Sequence, residues 1–105
     1  MAERARDESP EMRRLRKKID ALDRRIVGLL NERADLGREV GRAKVVAGRR
    51  AIADRERERE VLLRVSMANA GPLPQADLLA MYRRLIAATK ALEAQDRRRE
   101  APDEQ

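Results

Sequence analysis

The chain contains no cysteine, no histidine, no phenylalanine and no tryptophan. Without cysteine and histidine there are no disulfides, no thiol chemistry, no imidazole acid–base catalysis and none of the usual zinc or haem ligands. The one aromatic residue, Tyr82, gives no platform on which single-stranded nucleic acid could stack. No run approaches the roughly 20 apolar residues of a membrane span, and Met1 to Glu8 lack the apolar core of a signal peptide. These absences point to a soluble, cytoplasmic protein. Runs of β-branched residues and hairpin turns are also missing, which leaves an all-α chain.

What is abundant is charge. Lys and Arg number 25 against 19 Asp and Glu, a formal net charge of +6. The basic residues are interleaved with acids, as in Arg55-Glu56-Arg57-Glu58-Arg59-Glu60, so the excess reads as solvated helix faces or a site for a small anion rather than a nucleic-acid surface.

From Leu15, large apolar residues recur at Ile19, Leu22, Ile26, Leu29, Leu36 and Val40 in steps of three and four; Arg33 interrupts the series. This spacing predicts a long amphipathic helix, with Ser9 as N-cap and Pro10 as its first residue, ending near Val46. A guanidinium within an apolar stripe needs an anion, because an unpaired buried charge is costly. That anion is either a protein carboxylate, such as Glu93 in a structural bridge, or an anionic ligand. A helix of this length, roughly 50 Å at 1.5 Å per residue, overruns a compact 105-residue monomer of about 13 Å radius of gyration, and pairing with a second copy is the simplest remedy. Gly37 and Gly41 share a face of this helix, where a neighbouring backbone or a ligand could come close.

A loop over Ala47–Ala53 leads to Asp54 as N-cap of a second helix carrying Val61, Leu62 and Val65, which Asn69–Pro74 terminates. A third helix is predicted from Gln75 to Gln95, with Leu78, Tyr82, Leu85, Thr89 and Leu92 on its inner side. Residues 1–9 and 97–105 are expected to be disordered, leaving a single domain over 10–96. Polar residues set on or beside the stripes are Arg16, Arg33 and Lys44, then Asp54, Arg57 and Glu58, then Thr89 and Glu93. Each has an ordinary structural reading as well: Arg16 and Lys44 as flanking ion-pair formers, Arg57 and Glu58 as a solvated charge run, Thr89 bonding to the preceding helical turn.

The segments Leu15-Arg16-Lys17-Lys18-Ile19-Asp20-Ala21-Leu22-Asp23, Leu29-Leu30-Asn31-Glu32-Arg33, Glu39-Val40-Gly41-Arg42-Ala43-Lys44 and Asp54-Arg55-Glu56-Arg57-Glu58 resemble, in order and near-spacing, the all-helical class of chorismate mutases. The resemblance covers Leu15 to Gln95. It implies an intertwined homodimer of three-helix chains that needs no cofactor or metal and catalyses the rearrangement of chorismate to prephenate. It further implies that Arg16, from the partner subunit, and Arg33 hold the substrate carboxylates, while Lys44 binds one of them and donates to the ether oxygen. Arg57 matches the arginine after the loop, Asp54 and Glu58 lie toward the ring hydroxyl, and Thr89 and Glu93 complete the site from the third helix. Glu93 stands where many relatives have Gln, and must be protonated to donate to the ether oxygen.

The loop before the second helix is about one residue longer than in some relatives, so Arg55 and Glu56 are the alternative register to Arg57 and Glu58. The alternative activity on this fold is an isochorismate–pyruvate lyase, and a non-catalytic helical dimer or adaptor is the other class. An activating partner from the shikimate pathway is a further expectation drawn from the family.

Overall fold

The computed structural model describes residues 8–49 and 51–100, and those residues form three α-helices and no strand. They are α1 (Pro10–Val46), α2 (Arg55–Ala68) and α3 (Gln75–Glu100). The chain divides into two units, residues 1–33 and 34–105, with α1 contributing to both.

In the first unit, Ser9 caps α1. Its hydroxyl accepts from the Met12 amide at 3.1 Å and its carbonyl from the Arg13 amide at 3.1 Å, satisfying donors that a helix start leaves open. Glu11 places negative charge in the first turn, where the helix dipole favours it, and also pairs with Arg14. Arg16 is ion-paired with Glu8. The predicted stripe is helical but uncovered within the chain, Leu15, Ile19, Leu22 and Ile26 being about half exposed.

In the second unit, α1 ends as the sequence predicts. Gly48 adopts a left-handed φ of +81°, and the amides of Gly48 and Arg49 return to the carbonyls of Val45 and Lys44 at 3.0 and 2.8 Å, which closes the last turn in a Schellman arrangement. Asp54 caps α2 through the Arg57 amide at 3.0 Å. Beyond Ala68, the Asn69 side chain donates to the Leu73 carbonyl and the Gln75 side-chain oxygen and accepts from the Gly71 amide. The Gln75 amide nitrogen donates back to the Ser66 carbonyl. This side-chain staple fixes the tight reversal that packs α3 on α2.

α3 corrects the sequence reading at its end. It continues to Glu100 rather than stopping at Gln95, so residues 97–100, assigned above to a disordered tail, are helical. Asp96 is anchored by an ion pair, and Arg97, Arg98 and Arg99 place positive charge where the helix dipole is negative, so the basic run extends the helix. Residues 1–7 and 101–105, also assigned to disorder, lie outside the described residues. Among the described residues no hydrophobic side chain is buried, whereas Thr89, Glu93 and Asp96 are.

Candidate active site

The C-terminal part of α1 meets α3 through two glycines. A β-carbon at Gly37 would collide with the Thr89 methyl, and one at Gly41 would stand 3.0 Å from Glu93 Cγ. Gly37 faces Thr89 and Gly41 faces Glu93, so the contacts advance together and the two helices run in the same direction here. The face on which the sequence reading allowed a neighbouring backbone or a ligand to come close is therefore a helix contact. Two polar side chains of α3 occupy the space that side chains on α1 would have filled.

Thr89 is 7% exposed and its hydroxyl donates to the Leu85 carbonyl at 3.0 Å, the local bond expected of a threonine within a helix. Glu93 is 7% exposed, and its Oε2 is buried without a hydrogen-bond partner. Burial pushes its carboxyl above the usual carboxylate range; Lys44, Arg97 and Lys90 act against that shift and Asp96 adds to it. A carboxyl held in this way keeps its proton to higher pH and can serve as a donor.

Lys44 is half-buried in the last turn of α1, and its ammonium donates to the Ile52 carbonyl at 3.1 Å. It also lies close enough to Asp54 to help hold that carboxyl below its ordinary range, an effect led by the hydrogen bond from the Arg57 amide. Glu58 is half-buried and pairs with Lys90 at 3.0 Å, while Arg57 is exposed and pairs with Glu60 at 2.9 Å. In the competing register, Arg55 and Glu56 are both exposed, and Glu58 is the member of the charge run that turns toward α3.

The second unit thus brings together Lys44, Asp54, Glu58, Thr89 and Glu93, in a series whose charges alternate through Lys90. Arg57 borders it at the start of α2 with its side chain turned to Glu60. Arg33 and Arg16 belong to the first unit, where Arg33 is half-buried and Arg16 is about half exposed. Sequence reasoning missed Lys90, Arg38 and Asp96. Arg38 grips Asp96 with two hydrogen bonds, Nε to Oδ2 at 2.8 Å and Nη2 to Oδ1 at 3.0 Å, and holds the Asp96 carboxyl below its usual range. A carboxylate three residues after Glu93 was the available signal.

Comparison with known proteins adds to this geometry. Residues 15–94 match the family model described as chorismate mutase type II. Over 87 residues the chain is 40% identical to a bifunctional chorismate mutase/prephenate dehydratase of Aquifex aeolicus, covering 79% of this chain and 24% of the relative. It is 36% identical over 90 residues to the protein of the same description from Stutzerimonas stutzeri, covering 82% and 25%. The chain therefore spans about a quarter of the length of these relatives. Among solved structures, form II of chorismate mutase from Thermus thermophilus superimposes with a TM-score of 0.75 at 32% identity, covering 80% of this chain and 94% of that one. The three-helix fold and the family pattern coincide over the same stretch, and on these grounds the chain belongs to the chorismate mutase type II family.

Proposed function

We propose that this chain catalyses the rearrangement of chorismate to prephenate. The reaction is intramolecular. One C–O bond breaks as a C–C bond forms, with no net gain or loss of protons or electrons, so it needs no nucleophile or redox group. Acceleration comes from holding the dianionic substrate in its compact diaxial conformer and from donors aimed at the ether oxygen as negative charge grows there. Membership of the family carries the reading, and the buried, proton-retaining Glu93 near Lys44 supports it.

In this reading Lys44 exchanges the Ile52 carbonyl for a substrate carboxylate and donates to the ether oxygen. Protonated Glu93 donates to the same oxygen. Arg33, and Arg16 of a second copy, neutralise the carboxylates, and Arg57 adds a cation at the start of α2. Asp54 and Glu58 accept from the ring hydroxyl, and Thr89 packs beside them.

The proposed assembly is a homodimer formed through α1. At 37 residues this helix is roughly 55 Å long, and its apolar stripe is exposed in the single chain, Leu36 by 62% and Val40 by 53%. Stripes of this kind are covered by a partner helix in helical oligomers. The proposed compartment is the cytoplasm, with which the lack of a helix long and apolar enough to cross a membrane among the described residues is consistent. Bifunctional relatives also make an enzyme partner acting on prephenate, or an activating one, a reasonable second component.

The test is an assay with chorismate that follows loss of its ultraviolet absorbance and identifies the product after acid converts prephenate to phenylpyruvate. Prephenate formation well above the spontaneous rate is expected. No acceleration with chorismate, together with pyruvate release from isochorismate, would replace this reading with the lyase.

A further inference from the structure

Glu93 is useful as a donor only if its carboxyl is held at one place and kept protonated, and the carboxyl itself has an oxygen with no hydrogen bond to fix it. What surrounds it must do the fixing. The glycine contacts allow α3 to approach α1 but do not prevent it from sliding or rotating, since Gly41 offers no side chain for Glu93 to key against. A directional contact between the same two helices lies beside them. Arg38 stands three residues before Gly41 and Asp96 three residues after Glu93, and their paired hydrogen bonds of 2.8 and 3.0 Å join the edge of a guanidinium to both oxygens of a carboxylate. This two-point geometry is more sensitive to a shift along the axis or a rotation of α3 than the single-point contact of a lysine at position 38 would be. Asp96 is 9% exposed and the Arg38 side chain 34% exposed, so the carboxylate sits in the helix contact and the guanidinium reaches it from the edge. Glu93, Gly41, Arg38 and Asp96 line one common cleft.

We propose that Arg38 and Asp96 are positioning residues for Glu93: their ion pair sets the register of α3 on α1 and thereby holds the Glu93 carboxyl over Gly41. The proposal rests on the mutase reading for the consequence of that placement, but not for the placement itself.

A second effect follows from charge. Glu93 is faced by Lys44, Arg38 and Arg42 from α1 and by Lys90, Asp96 and Arg97 from its own helix, while α2 reaches this group through Glu58 on Lys90. Asp96 engages Arg38 and also lies 4.0 Å from Arg42. It engages two cations that line the same cleft as Glu93, and its own negative charge disfavours Glu93 ionisation directly.

The experiment compares wild type, Asp96→Asn and Arg38→Lys by prephenate formation across pH, by thermal melting, and by ¹³C NMR titration of the Glu93 carboxyl, assigned with Glu93→Gln. Asp96→Asn is expected to lower the Glu93 midpoint and to move the alkaline fall in kcat/KM to lower pH. Arg38→Lys, which keeps the charge and loses the fork, is expected to reduce kcat by roughly ten- to a hundredfold with little change in KM, the size of effect that a misplaced group produces. An unchanged midpoint in Asp96→Asn overturns the proposal, as does an Arg38→Lys loss that disappears below the melting transition. If Asp96→Asn does not fold, the kcat-against-KM result for Arg38→Lys decides. If wild type forms no prephenate, the function reading fails separately, and the Glu93 titration in Arg38→Lys, which conserves charge, still judges the positioning: a shifted midpoint upholds it and an unmoved one removes it.

Discussion

The Thr89 methyl occupies the position that a side chain on Gly37 would need. The space of the missing β-carbon is thus filled by a candidate site residue, and any replacement must displace the Thr89 side chain or α3 with it. Gly37→Ala is expected to destabilise the fold by about 1–3 kcal/mol, the ordinary cost of overpacking, although alanine is the better helix former. Gly41→Ala, which meets only the flexible Glu93 side chain, its Cγ at 3.0 Å and its carboxyl at 3.3 Å, is expected to cost less stability and more activity. Thermal melts and kcat for the two variants check this. Equal stability of Gly37→Ala and wild type would show that α3 is not seated as described.

Glu93 predicts an inverse response to pH. Its carboxyl titrates above the ordinary range in the folded chain, so the folded state binds more protons than the unfolded state over that interval. Stability therefore falls as pH rises from the unfolded value near 4.5 through the folded one. Activity that needs the protonated form falls over the same limb. Glu93→Gln is expected to flatten the activity profile and to raise stability at neutral pH relative to wild type, while leaving acidic-side stability nearly unchanged. Superimposable pH profiles for the two proteins would remove Glu93 from the proposed donor role.

Asp96 has the opposite sign. The Arg38 guanidinium holds its carboxyl low, so its contribution to stability is present above the unfolded value and is lost only as pH falls through the folded one. Chemical denaturation from pH 7 down to pH 2 is expected to show a loss at the acid end that Asp96→Asn lacks.

The role proposed for Arg33 is testable by separating catalysis from folding. It lies half-buried in the first unit, and if it neutralises substrate charge, Arg33→Ala should lower kcat/KM by roughly 10²-fold or more, as loss of one preorganised donor does. The melting temperature should move far less. A variant that loses its fold in proportion to its activity would return Arg33 to a purely architectural role.

The exposed stripe of α1 makes association measurable. If a second copy covers Leu15, Ile19, Leu22 and Ile26, the melting temperature rises with protein concentration, because dilution favours the separated chains. Ile26→Arg is expected to abolish that dependence and to lower the helical signal. A concentration-independent melt with a monomeric mass in sedimentation would refute the dimer.

What the sequence made legible was local. Ser9, Asp54 and the Asn69–Pro74 stop each act through groups within a few residues, and the helix starts and the second joint fall where those signals lie. Lys44, Thr89 and Glu93 stood out as candidates because polar residues on or beside an apolar stripe are conspicuous, and their proposed roles came from the resemblance to the chorismate mutases. The Arg38–Asp96 and Glu58–Lys90 pairs were not, since each joins residues far apart in the chain and every one of them looks like a solvated charge among many. The end of α3 was misjudged for the same reason: the arginine run resembles a tail until Asp96 is seen to be tied to α1.

In the role proposed for it, Lys44 is prepared before the site is filled. Its ammonium is held by the carbonyl of Ile52, in the joint between α1 and α2. A carbonyl is a dipole and not a counter-ion, so it aims the lysine without neutralising it. An arriving carboxylate would meet a cation already ordered and still carrying its charge. The same exchange would release the Ile52 carbonyl, so that occupancy of the site would be signalled in the backbone of the loop, at a residue that itself has no reactive chemistry.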